Sequence, residues 1–123
     1  MTSPTSQDEP EQLAVDVDEP RPGVLVVRLT GWLDLATAPD AEVRLEELLD
    51  RRAPRLIVLD LSSTEFLGSA GVAVLLRLRR RALALGCASP CLVGLTGRAW
   101  RTLHGLGLLD MFSTADDVPA AMS

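Results

Sequence analysis

Residues 56–76, LIVLDLSSTEFLGSAGVAVLL, decide how this chain folds. LIVLDL (56–61) is a continuous apolar run, the pattern of a central parallel strand buried on both faces. The residues after it read as a short polar turn. From Ser69 onward the apolar residues suit a helix, and Gly86 is a good C-terminal stop for it. The stretch is therefore a buried strand, a turn, and a helix that opens on Ser69 between Gly68 and Gly71. The first turn of a helix offers unpaired N–H groups and a field that favours negative charge. A serine there serves either as a helix cap, which contributes on the order of 1 kcal/mol, or as a place where a phosphate is well tolerated. The residues themselves leave both readings open.

Working outward, VLVVRLTG (24–31) is rich in β-branched residues and reads as a mostly buried strand. LAVDV (13–17) alternates apolar and polar residues, as a short edge strand does, and DEPRPG (18–23) is a two-proline turn between them. WLDLATAPD (32–40) is a loop leading into a helix, with Thr37 and Asp40 as candidate caps and Pro39 suited to the first helical position. In that helix Val43, Leu45, Leu48 and Leu49 are the apolar residues, and Glu42, Arg44, Glu46, Glu47 and Asp50 supply a solvated face. Cys91–Leu95 is another buried strand, and a helix runs from about Arg98 to Leu106. LLDMF (108–112) reads as a last short strand or an extended segment, and DDVPAAM as a final helical turn. Alternating strands and helices after a hairpin imply an α/β domain with a mixed, mostly parallel sheet of four to five strands and right-handed crossovers.

At 123 residues the chain is one domain with a modest core. It has no Tyr and only two Phe and two Trp, and its formal net charge is −5. Few aromatics and net acidity argue against general nucleic-acid binding. The acidity is local, because residues 1–20 hold six acids and no base while the remainder carries 12 bases against 11 acids. Residues 1–12 are expected to be a disordered acidic tail, leaving 13–122 as the folded domain. No window is long and apolar enough to span a membrane, and the N-terminus lacks the basic and apolar regions of a signal peptide. The expectation is a soluble cytoplasmic protein.

Several chemistries are excluded by spacing. Cys87 and Cys91 are only two ligands, and His104 gives no obvious third, so no metal site is expected and the cysteines read as buried reduced thiols. A nucleophile elbow needs G-x-S-x-G, but Leu67 stands where the first glycine belongs. His104 with Asp60 or Asp110 would be the other members of a triad, on a chain very short for that fold. A phosphate-binding loop needs a lysine, and all 12 bases are arginine. No cofactor is implied. Arg77, Arg80 and Arg81 share one helix face, either as a solvated surface or as a docking surface for an acidic partner. Trp32, just after a strand, is either partly buried packing or an interface anchor.

At these residues the chain resembles the STAS domain family, the anti-sigma factor antagonists. RLTGWLDLATAP (28–39) is similar to the family's R-L-x-G-E-L-D-x-x-T-A. The 56–76 stretch is similar to its strand, D-L-S-x-x-x-F-x-D-S-S-G and helix. Residues 92–122 resemble its last strand, helix and closing F-x-x-x-x-x-x-A segment. The resemblance implies helices packed mainly on one side of the sheet. It also implies a binding module and not an enzyme: one that binds an anti-sigma factor, often a serine kinase of the histidine-kinase-like ATPase class, and so releases a sigma factor. The kinase phosphorylates the first serine of D-S-S-G, which falls on Ser69, and a phosphatase reverses this. Partner contact is then expected at Trp32, Asp34, Gly68, Ser69, Ala70, Gly71 and Arg77. Gly68 and Ala70 stand where the family has Asp and Ser, and Trp32 where it has Glu. A non-phosphorylated scaffold or accessory subunit of a stressosome-like or transporter complex is the alternative that the resemblance allows.

Overall fold

The computed structural model describes residues 12–95 and 97–123. Residues 1–11 of the acidic tail lie outside the described residues. The described residues form six strands: β1 (Leu13–Arg21), β2 (Val24–Leu33), β3 (Leu56–Asp60), β4 (Thr64–Leu67), β5 (Cys91–Val93) and β6 (Ser113–Ala115). Its helices are α1 (Ala38–Arg52), α2 (Ser69–Ala84), α3 (Gly97–Gly105) and the short α4 (Val118–Ala121). The strands form one mixed sheet in the order β1-β2-β3-β5-β6, with β4 added to β2. Only β1–β2 is antiparallel; β2–β3, β2–β4, β3–β5 and β5–β6 are parallel.

The alternation of side chains along each strand sorts the residues into two layers. Leu25, Val27 and Leu29 of β2, Ile57 and Leu59 of β3 and Leu92 of β5 face α1, α2 and α3. Ala41, Leu45 and Leu49 of α1, Val72, Leu75 and Leu78 of α2, and Ala99 and Leu103 of α3 close that core. Val24, Val26, Val58, Cys91 and Val93 face the other way, where Val118 and Ala121 of α4 and the following Met122 cover only part of the sheet. Three helices on one face and one short helix on the other is the expected arrangement.

The sheet differs from the expectation in three places. The hairpin turn is tighter than 18–23, because β1 continues to Arg21 and turns at Pro22–Gly23. Pro20 is tolerated because β1 is an edge strand with a register irregularity between Asp18 and Arg21. Residues 64–67 are not turn but a sixth strand. β3 pairs with β2 only from Val24 to Arg28, which leaves the last residues of β2 an open edge that β4 fills. Finally, LLDMF is helical at Leu109–Met111, and the last strand begins one residue beyond it. That single 3₁₀ turn lets Phe112 bury its ring in the core before Ser113–Ala115 pairs with β5.

Truncating a fully buried side chain of this core costs transfer energy plus a cavity. Leu75→Ala on α2 is expected to lower unfolding stability by about 2–5 kcal/mol in chemical denaturation. Val43→Ala on the exposed face of α1 is expected to stay within about 0.5 kcal/mol.

Candidate functional site

The site lies at the C-terminal ends of β2 and β4, where both strands meet the start of α2. Gly68 is the N-cap of α2, in extended backbone (φ −92°, ψ 179°), and Ser69 is the first helical residue. The serine is therefore not the cap; a glycine occupies that position and provides no side-chain acceptor. Val72 N–H makes the first intrahelical bond, to Gly68 O at 3.0 Å. The N–H groups of Ser69, Ala70 and Gly71 precede that bond, as the opening groups of any helix do. Ser69 is exposed, and Gly68 and Ala70 are half-buried. A hydroxyl is thus presented to solvent beside three N–H donors at the positive end of a 16-residue helix.

Gly71 and Leu33 set this geometry. A β-carbon on Gly71 would lie 2.6 Å from the Leu33 carbonyl oxygen, 2.7 Å from Leu33 Cγ and 2.9 Å from Leu67 Cδ1. The same Leu33 carbonyl accepts the Gly68 N–H at 3.0 Å. Only a residue without a side chain lets α2 start this close to β2. Gly71 is accordingly buried, and its contribution to the site is to seat the helix.

Asp34 is spent within the protein. Its carboxylate accepts the N–H groups of Ala36 and Thr37, at 3.0 and 3.2 Å, and so folds the loop between β2 and α1. Thr37 occupies the N-cap position of α1, yet its hydroxyl donates to Trp32 O at 2.7 Å and accepts from Asp34 N at 3.0 Å. It does not cap the helix. Asp40 lies inside the first turn of α1, where its charge suits the dipole. Trp32 pairs with Phe66 across β2 and β4, with ring centroids 5.1 Å apart at 31°. Phe66, whose ring lies against Gly68, matches the F of the family pattern but was not singled out as a site residue, because a lone aromatic in a polar stretch carries no periodic signal.

Arg77 lies two turns further along α2 and is not a free cation. Its Nε and one terminal nitrogen bond both carboxylate oxygens of Glu42 at 2.5 and 2.9 Å, and Arg81 bonds Asp50 at 3.0 Å. Hydrogen bonding from Arg77 holds the Glu42 carboxyl below its ordinary range. These pairs tie α1 to α2, so this part of the arginine face serves the fold.

Asp60 ends β3 and is buried, with Arg28 Nε at 3.2 Å and the Ser62 hydroxyl and N–H at 2.6 and 3.0 Å. Burial pushes its carboxyl up, but the bonds from Ser62 and Arg28 outweigh this and hold it below the usual aspartate range. This knot turns β3 into β4. Gly94 is a glycine because a β-carbon there would meet Ser62 Cβ at 2.7 Å, and its φ is +71°. Of an imagined triad, Asp60 is engaged by Arg28 and Ser62. Asp60 lies on the α4 side of the sheet, opposite α3, and His104 of α3 stacks on Trp100 with centroids 4.4 Å apart. Cys87 and Cys91 are buried free thiols that belong to opposite layers of the sheet, and burial raises both. Among the described residues no group of three His, Cys, Asp or Glu could hold a metal ion. None of the helices there is long and apolar enough to cross a membrane.

The STAS domain model matches residues 17–121 of this mixed-sheet domain. The chain belongs to the STAS domain family. A protein of Paenibacillus polymyxa named anti-sigma F factor antagonist is 38% identical over 64 residues, which are 52% of this chain and 54% of that protein. The match spans about half the length of that relative. An anti-sigma factor antagonist of Mycobacterium paratuberculosis superposes with a TM-score of 0.81 at 29% identity, covering 92% of this chain and 93% of that one. The Bacillus cell fate determinant SpoIIAA in its phosphorylated form superposes with a TM-score of 0.68 at 18% identity, covering 89% and 96%, a likeness of fold.

Gly71→Ala is expected to destabilise by about 1–3 kcal/mol, because its β-carbon meets backbone that cannot yield; urea unfolding measures this. A depressed carboxyl stabilises the native state above its unfolded value of about 3.9, and that stability is lost as pH falls through the native value. Asp60→Asn is therefore expected to be less stable than wild type at pH 7 by about 1–3 kcal/mol and to show a shallower loss of stability below about pH 4. Thermal unfolding from pH 3 to 7 compares the two slopes.

Proposed function

We propose that this chain is an anti-sigma factor antagonist: it binds an anti-sigma factor that is a serine kinase of the histidine-kinase-like ATPase class, and so frees a sigma factor. In this reading the kinase phosphorylates Ser69, the complex dissociates, and a phosphatase restores it. The observation that carries the proposal is the exposed hydroxyl of Ser69 on the first turn of α2. The names of the Paenibacillus and Mycobacterium relatives support the role. The existence of a phosphorylated SpoIIAA supports modification within this fold.

The physics of such a switch is local. A phosphoryl group adds up to about two negative charges. At Ser69 these meet the opening N–H groups and the positive end of α2, so the domain itself accommodates them. A partner surface packed against a neutral serine does not. Binding is thus lost without a change of fold. The residues around the serine act by shape and positioning: Gly71 seats the helix, Asp34 folds the neighbouring loop, and Gly68 and Ala70 leave the hydroxyl unobstructed.

Gly68 and Ala70 also favour a second reading, a STAS scaffold or accessory subunit that binds constitutively. Both lack the polar side chains that flank the acceptor in the family pattern.

Incubation with ATP and an anti-sigma serine kinase of the source organism separates the two. Intact mass and peptide mapping are expected to place one phosphoryl group on Ser69 of the wild type, with loss of the complex. Ser69→Ala is expected to gain none and to keep the complex. A stable wild-type complex that never becomes phosphorylated supports the constitutive module instead.

A further inference from the structure

Gly68 and Trp32 stand where the family pattern carries acidic residues, and in this structure the Phe66 ring lies against both positions. A β-carbon on Gly68 would lie 2.9 Å from Phe66 Cε2 and 3.4 Å from its Cζ. The Phe66 ring therefore takes up the room that a side chain at 68 would use. The other side of the coupling is the stack of that ring on Trp32, at 5.1 Å between centroids. Leu33 and Leu67, the next residues of β2 and β4, point into the core, so Trp32 and Phe66 lie together on the open face of the sheet. Both rings are half-buried. Leu35, in the loop that leaves the same end of β2, is 81% exposed. Of the two carboxylate positions beside the serine, one thus holds the indole on which Phe66 stacks and the other holds no side chain.

We infer that the Trp32–Phe66 pair is the specificity determinant of this chain. The inference rests on the reading of Ser69 as the partner-facing serine. The pair fits a serine kinase that presents an apolar, uncharged contact at this point. It disfavours one that presents basic side chains built to meet carboxylates. Large rings held by a neighbour lose little conformational freedom on binding and act as anchors in desolvated contacts. A cation placed to meet two carboxylates would be desolvated here without them, and attraction to a ring face replaces only part of that loss. Gly68 is required by the same device, because its missing side chain lets Phe66 stay on Trp32. The backbone at 68 is ordinary extended chain that any residue adopts, so Gly68→Asp tests the ring placement without straining the backbone.

The test uses the full chain and a purified anti-sigma serine kinase of the source organism, with affinities measured by titration calorimetry. Trp32→Glu and Gly68→Asp are each expected to weaken the complex by more than about fivefold, while Trp32→Phe stays inside that limit. Circular dichroism checks folding, and if Trp32→Glu does not fold, Gly68→Asp decides alone. Affinity losses below about fivefold for the folded charged variants overturn the inference, as does an equal loss in Trp32→Phe. If the wild type itself binds no such kinase, the reading of Ser69 falls and this inference with it. If the wild type binds and the charged variants bind equally well, only this inference falls.

Discussion

The contact on which the rest depends is between a glycine and a carbonyl. Gly71 comes so close to the Leu33 oxygen that no β-carbon would fit, and the same oxygen accepts the Gly68 N–H. One backbone group of β2 thereby sets both where α2 begins and how closely it lies against the sheet. Val72 and Leu75 follow directly into the core, and Ser69 is left outside it. Packing and function are joined at this point, because the approach that closes the core also presents the serine and the opening N–H groups of the helix.

Charge in this domain is used mostly for internal positioning. Arg77 and Arg81 are matched by Glu42 and Asp50 across α1 and α2. Arg52 pairs with Glu19, which joins α1 to the hairpin. Asp60 and Asp34 each use their carboxylates to fold the turn that follows them. The exposed arginine–carboxylate pairs among these contribute little stability each. Trp32, Phe66, Gly68 and Ala70, by contrast, carry no charge.

The strands and helices were legible where residues repeat with a period. LIVLDL, VLVVRLTG and the α1 and α2 segments announce themselves by apolar runs or a helical stripe, and their order implied the mixed sheet. The elements that were not legible are short. β4 has no pattern of its own; it is a strand because the end of β2 offers an unpaired edge there. LLDMF is equally ambiguous as a string, and the burial of Phe112 selects the helical turn.

The candidate site divides in the same way. Ser69, its flanking glycines, the arginine-rich helix and the absence of lysine follow from the chain alone, as does the resemblance to the STAS pattern, because these are facts of residue type and spacing. That Gly68 rather than Ser69 is the cap, that Arg77 is bound to Glu42, that Asp34 is consumed by its own loop, and that Phe66 lies on Trp32 were decided only in three dimensions. Each is a choice among partners distant in sequence, and such choices depend on which groups the packed core brings within a few ångströms.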